Sequence, residues 1–150
     1  KLRDPAHLPL IYALLFGMPG TPALYYGSEW GISGEKAPCS DAGLRPALEK
    51  PEWNALTSWI ARLAAARRGS PALREGSYRN VLLTNLQLIF ERRTETERVL
   101  VAVNADSQPY TAHFDAGCGL AWDLISGQQH DFGGGSQLPP YSAFFWKIER

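Results

Sequence analysis

Several things are scarce in this sequence, and each scarcity closes off a class of function. Only two cysteines occur in 150 residues, Cys39 and Cys118, far apart and outside any C-x-x-C pair. They read as two separate free thiols, and whether they pair is not something sequence decides. The three histidines, His7, His113 and His130, are scattered without the spacing of a zinc site, so no structural metal is expected. Charge of one sign is missing too: 15 Lys and Arg balance 15 Asp and Glu, for a formal net charge of +0. Without a field of one sign, nucleic acid and anionic membranes are not the expected partners, and a neutral ligand is. No apolar run reaches the roughly eighteen residues that cross a bilayer. No charged, apolar and cleavage-site succession marks a signal peptide, and the location is left open with a weak lean to the cytoplasm. The only methionine is Met18, so Lys1 is not an obvious translation start, and the chain is expected to be a piece of a longer protein or a processed product. There is no G-x-S-x-G elbow and no G-x-x-x-x-G-K-[ST] phosphate loop, and Gly117-Cys118-Gly119 lacks the strand, helix and third glycine of a dinucleotide site. No cofactor is expected.

What is present is organised around residues 17–34. Here an apolar run, Ala23-Leu24-Tyr25-Tyr26, is fenced by Pro19, Gly20, Pro22 and Gly27. So short a run between glycine and proline reads as a fully buried strand, of the kind found in parallel sheets covered by helices. Before it, Asp4 can cap a helix whose body, from Leu8 to Phe16, is apolar all round and so must be buried on more than one side. Gly17 is expected to end it in the left-handed conformation. After the run comes a long loop over residues 28–50, and loops of that length in compact domains are usually functional or disordered. A second helix follows over 52–68, with Trp53, Leu56, Ile60 and Leu63 on one face and Asn54, Ser58 and Arg62 on the other. Arg67 and Arg68 suit its last turn as a solvated cap.

Past Gly76 the period changes from helical to strand-like. Segments near 81–83, 86–92, 99–104, 110–114, 120–124 and 143–148 are separated by turn residues, which describes an antiparallel sandwich or barrel. Trp122 and Trp146 read as core residues here, with sugar-stacking platforms the other option.

Two stretches also resemble a known family. Gly20-Thr21-Pro22-Ala23-Leu24-Tyr25-Tyr26-Gly27-Ser28-Glu29 is similar to the strand and turn that close the catalytic barrel of the α-amylase family of glycoside hydrolases, with Ser28 in place of the commoner Asp. Asp41-Ala42-Gly43-Leu44-Arg45-Pro46 resembles that family's later D-x-x-x-R element. Val99-Leu100-Val101-Ala102-Val103-Asn104 and Leu138-Pro139-Pro140-Tyr141-Ser142-Ala143 are similar to parts of its trailing β-sandwich. The resemblance implies an α+β fold overall: residues 1–75 as the last helix, strand and helix of a (β/α)8 TIM barrel, and residues 76–150 as an all-β antiparallel sandwich. It implies a parent enzyme of the cyclomaltodextrinase, neopullulanase or α-amylase type, acting on α-glucans or maltooligosaccharides. A non-catalytic carbohydrate-binding or structural module is the rival reading. The upstream barrel of the same parent, or a second copy of this chain, would be the protein partner.

The candidate site residues lie on the long loop. Trp30, beside carboxylates, can stack on a sugar ring or simply pack beneath the loop. Asp41 and Arg45 can form a local ion pair, or, as the resemblance implies, contact glucose units on the non-reducing side of the cleaved bond. Glycosidases need two carboxyl groups flanking the scissile bond, and the family's three catalytic carboxylates fall on earlier barrel strands whose motifs are not in this sequence. No catalytic residue is therefore assigned. Glu29 is expected to accept hydrogen bonds that shape its turn rather than to pair with Asp41.

Overall fold

The computed structural model describes residues 2–44, 47–48 and 50–148. The Asp4 carboxylate accepts the Ala6 N–H at 2.9 Å and so caps a 3-10 turn, Pro5–His7, that runs straight into helix α1, Leu8–Gly17. Proline is tolerated in this first turn because those N–H groups have no helical partner. Leu10, Tyr12, Ala13, Phe16 and Gly17 are buried, while Ile11 is 44 % exposed, so α1 is covered on one broad side and not all round. Gly17 is not the expected left-handed stop; it is the last helical residue, and Met18 closes the helix through its N–H to the Leu14 carbonyl. Glycine has another reason to be there. A Cβ at this position would stand 3.0 Å from Val101 Cγ1 and 3.2 Å from Phe90 Cζ, so only a bare Cα lets the helix end approach the sheet this closely.

Residues 23–26 do not form the expected buried strand. Leu24, Tyr25 and Tyr26 are 43, 54 and 49 % exposed, and among the described residues no strand pairs with them. A strand exists only where a neighbour takes its N–H and C=O groups; the run has strand composition but no partner here.

Helix α2, Ala55–Gly69, starts later than the sequence pattern suggests because Asn54 serves as N-cap, in a capping box with Thr57. Trp53 therefore precedes the helix and is exposed rather than forming part of its apolar face. Ile60, Leu63 and Ala66 are buried as the periodicity requires. Ser70 caps a further short helix, α3, Pro71–Glu75, which the pattern did not reveal.

The remaining described residues form eight strands. They are β1 Ser77–Leu83, β2 Gln87–Arg93, β3 Arg98–Asn104, β4 Tyr110–Ala112, β5 Leu120–Asp123, β6 Gln129–Asp131, β7 Ser136–Leu138 and β8 Ser142–Ile148. Six form one sheet in the order β1-β2-β3-β8-β5-β6 and two form another, β4-β7, with antiparallel pairing throughout. This is a β-sandwich arrangement, as the alternating pattern predicts. Strands β6 and β7, of three residues each, have no counterpart among the segments expected from sequence.

The large sheet carries a different core on each face. Phe90, Val99, Val101, Val103 and Phe145 pack with Leu10, Phe16, Ile60 and Leu63 of the helices. Ile89, Leu100, Ala102 and Trp146 pack with Ala112 and Leu138 of the small sheet. The alternation of buried side chains along β3 has both faces covered, so the strand reads as a continuous apolar run. Trp146 is a core residue as expected, whereas Trp122 is 42 % exposed on β5 near the sheet edge.

Buried charges bind the helical layer to the sheet. Arg67, expected as a solvated cap, is instead buried, and its guanidinium donates to the carbonyls of Phe16 at 2.8 Å, Met18 at 2.9 Å and Gly20. Arg92 of β2 donates to Gly17 at 2.7 Å, Gly76 at 2.9 Å and Ser77 at 3.3 Å. Together they gather the carbonyls at the negative end of α1, a favourable place for cations. Burial lowers the pKa of both, and the like charge of Arg67 lowers that of Arg92 further. Glu97 lies just before β3 and accepts Ser70 Oγ at 2.6 Å, the Ala72 N–H at 2.8 Å and Lys147 Nζ at 2.9 Å. Burial pushes its carboxyl pKa up, but these donors outweigh burial and hold it below the ordinary value.

Candidate functional site

The candidate site grows from the 3-10 turn Ser28–Trp30. Left-handed glycines stand at both ends, Gly27 with φ 82° and Gly31 with φ 73°, a conformation that glycine enters without steric cost. Between them the chain is held from outside. Tyr12 of α1 donates its hydroxyl to the Ser28 carbonyl at 2.9 Å. Thr57 of α2 donates to the Glu29 carbonyl at 2.9 Å, and the Asn54 side-chain amide donates to the Trp30 carbonyl at 3.0 Å. Trp30 itself is half-buried, and with Ile32, Leu48, Lys50 and Glu52 it lines a cleft of about 270 Å³. A flat aromatic wall beside a cation and a carboxylate is suited to a neutral polyhydroxylated ring, because the ring packs apolar C–H faces while hydroxyls meet the charged groups.

The other sequence-predicted site residues are placed differently. Asp41 is exposed, 3.8 Å from Lys36 Nζ, its main-chain carbonyl accepting the Leu44 N–H; it is not among the residues lining the Trp30 cleft. This is the bland ion-pair arrangement, with Lys36 in place of Arg45, and such surface pairs contribute little to stability. Arg45 lies outside the described residues. Glu29 departs from expectation: its carbonyl is bound by Thr57, but its carboxylate oxygen Oε2 is buried without a hydrogen-bond partner.

Sequence reasoning missed Asn54, which it placed on the face away from the apolar one, and Thr57, to which it gave no role. The signal was available: Asn three residues before Thr, ahead of a helical period, is a capping pattern, and capping residues carry spare donors. Cys39 is exposed and Cys118 half-buried, both free, and burial raises the Cys118 thiol pKa. Among the described residues no three His, Cys, Asp or Glu side chains group to hold a metal ion, and no helix is long and apolar enough to cross a membrane.

No protein-family model matches the chain. Individual relatives do. A cyclomaltodextrin glucanotransferase of Bacillus sp. (strain 38-2) is 30 % identical over 119 residues, covering 77 % of this chain and 15 % of the relative. Alpha-amylase MalA of Haloarcula japonica is 32 % identical over 127 residues, covering 76 % of this chain and 17 % of that one. Among solved structures, CldA, described as a cyclomaltodextrin glucanotransferase with a three-domain ABC distribution, superposes with a TM-score of 0.83 at 25 % identity, over 98 % of this chain and 33 % of its own. The chain thus spans about a sixth of the length of these curated relatives. Likeness in sequence over some three quarters of the residues and in fold over nearly all of them makes this chain a member of the α-amylase family of glycoside hydrolases, matching that family's C-terminal part.

Proposed function

We propose that this chain supplies the closing part of an α-amylase-type barrel and the sandwich that follows it, and that its loop over residues 28–50 forms part of a groove for α-glucans or maltooligosaccharides. In this reading Trp30 stacks on a sugar ring, Asp41 and Arg45 contact glucose units, and no residue of the chain acts as the acid, base or nucleophile. The domain boundary falls near Gly76. The single observation that carries the proposal is the Trp30 cleft: an aromatic wall, fixed from α1 and α2, opening beside Lys50 and Glu52. Supporting it is the likeness to CldA, which extends through the helical half and not only the sandwich.

The test is to incubate the purified chain with a maltooligosaccharide series, following reducing ends and measuring binding by titration calorimetry. Binding without cleavage is the expected result. Cleavage would overturn the assignment of catalysis to residues outside this chain.

A second reading has its own observation. Leu24, Tyr25 and Tyr26 form an uncovered apolar patch, with the two tyrosine rings 4.7 Å apart. Such patches mark surfaces that another body covers, either the preceding barrel of a longer protein or a second copy of this chain. Sedimentation that rises with concentration in the isolated chain, and stops in Tyr25→Ser/Tyr26→Ser, would favour self-association.

A further inference from the structure

Three successive carbonyls, those of Ser28, Glu29 and Trp30, are each bound by a different side chain, from Tyr12, Thr57 and Asn54. On a turn that reaches the surface, water could satisfy such carbonyls, so three side-chain donors are not needed merely to avoid an unpaired group. What they add is orientation. The Glu29 and Trp30 carbonyls belong to the two peptide planes on either side of the Trp30 Cα, and fixing both planes fixes its φ and ψ, hence the direction of its Cα–Cβ bond and the set of rotamers open to the indole. Asn54 can do this while capping α2, because an amide carries an acceptor and donors at once. Its Oδ1 accepts the Thr57 N–H at 2.9 Å and its Nδ2 donates to Trp30. The Thr57 hydroxyl has one proton to give, and Glu29 O at 2.9 Å is nearer than Asn54 Oδ1 at 3.1 Å.

We propose that Asn54 and Thr57 are positioning residues for Trp30: the N-terminal end of α2 sets the angle at which the indole faces its cleft, and through it the affinity for a sugar ring. The ligand half of this rests on the reading of Trp30 given above; the orientation half does not.

The decisive variant is Asn54→Asp. It keeps the oxygen that caps the helix, since Asp caps as well as Asn, but it replaces the N–H₂ that holds Trp30 with a second acceptor. The full chain is labelled with 5-fluorotryptophan, and the Trp30 resonance is assigned by its loss in Trp30→Phe. Expected are an unfolding midpoint lowered by no more than about 5 °C, the scale of one lost hydrogen bond, a shifted or broadened Trp30 signal, and maltoheptaose binding weakened by about five-fold. Lowering the pH to about 4, where an Asp carboxyl begins to take up a proton and regain a donor, should move the Trp30 signal back; a merely structural cap would show no such return. Thr57→Val removes the other tether without charge and should shift the same resonance. An unmoved Trp30 signal in both variants overturns the proposal. If the wild type fails to bind maltoheptaose while the signal shifts in both variants, the sugar reading falls and the positioning role stands.

Discussion

Strands β2, β3 and β8 and the stretch of residues 18–31 both carry apolar and aromatic side chains, the stretch broken by glycine and proline where the strands have none, and their backbones are satisfied in opposite ways. In the strands, each neighbour supplies the missing donor or acceptor, and Phe90, Leu100, Val101 and Phe145 end with no exposed surface. In the stretch, most outside support comes from side chains: Arg67, Tyr12, Asn54 and Thr57 reach in to hold carbonyls, while Leu24, Tyr25 and Tyr26 stay exposed. A ladder spreads its support over many equivalent bonds, so losing one matters little. A segment held by a few long side chains depends on each of them, and that is why it can hold a site at a defined angle yet be altered by one substitution.

The largest expected effect cuts across both regions. Arg92→Leu leaves the Gly17, Gly76 and Ser77 carbonyls without their donor, and should lower the unfolding free energy in urea by about 3 kcal/mol or more. Arg67→Met tests the contrast directly. It should cost about 2 kcal/mol and accelerate amide exchange first in residues 18–31, with β2, β3 and β8 still protected; uniform loss of protection would break the comparison. Gly17→Ala sets a helix-propensity gain of up to about 1 kcal/mol against overpacking on Val101 and Phe90, which costs about 1–3 kcal/mol. A net loss of about 1 kcal/mol is expected, and a net gain would mean that the sheet gives way more readily than a packed core should.

Acid provides a finer probe. The Glu97 carboxyl is held below its ordinary value of 4.5, so its contribution to stability is fully present above that pH and is lost as pH falls through the lower, folded-state value. Glu97→Gln should flatten that part of the stability–pH curve; a curve unchanged in shape would remove Glu97 as a tie between α3 and the sheet. Smallest of all, Trp53→Ala at a 75 % exposed position should change stability by no more than about 0.5 kcal/mol, despite the size of the ring.

This contrast also explains which parts were legible in the sequence. Leu88 and Phe90 at a spacing of two and the apolar run from Val99 to Val103 betrayed β2 and β3, although both faces of β3 are covered rather than one being left to water, and Leu86 stands exposed just outside its strand. Residues 23–26 carry equally good strand composition, but composition cannot say whether a neighbour is there to pair with. Of the candidate site, Trp30 could be singled out by type, and Asn54 was legible as a helix cap but not as the partner of Trp30, because that role depends on a carbonyl 24 positions earlier in the chain. Arg67 read as a helix-end charge for the same reason: its partners at Phe16, Met18 and Gly20 become neighbours only once α1 and α2 lie side by side.

The reach of the Arg92 side chain sets an order of events. Its bond to the Gly17 carbonyl joins residues 75 positions apart, so that carbonyl gains its side-chain partner only when β2 is in place on the sheet, later than the carbonyls held by Arg67. A nascent chain emerging from the ribosome would carry the Gly17 carbonyl of α1 without this donor through the synthesis of everything up to β2. Contacts that close such long loops form late and slow the search for the native state. The helical layer and the sheet should therefore appear in one kinetic phase on refolding, with α1 gaining its final protection no earlier than the central strands.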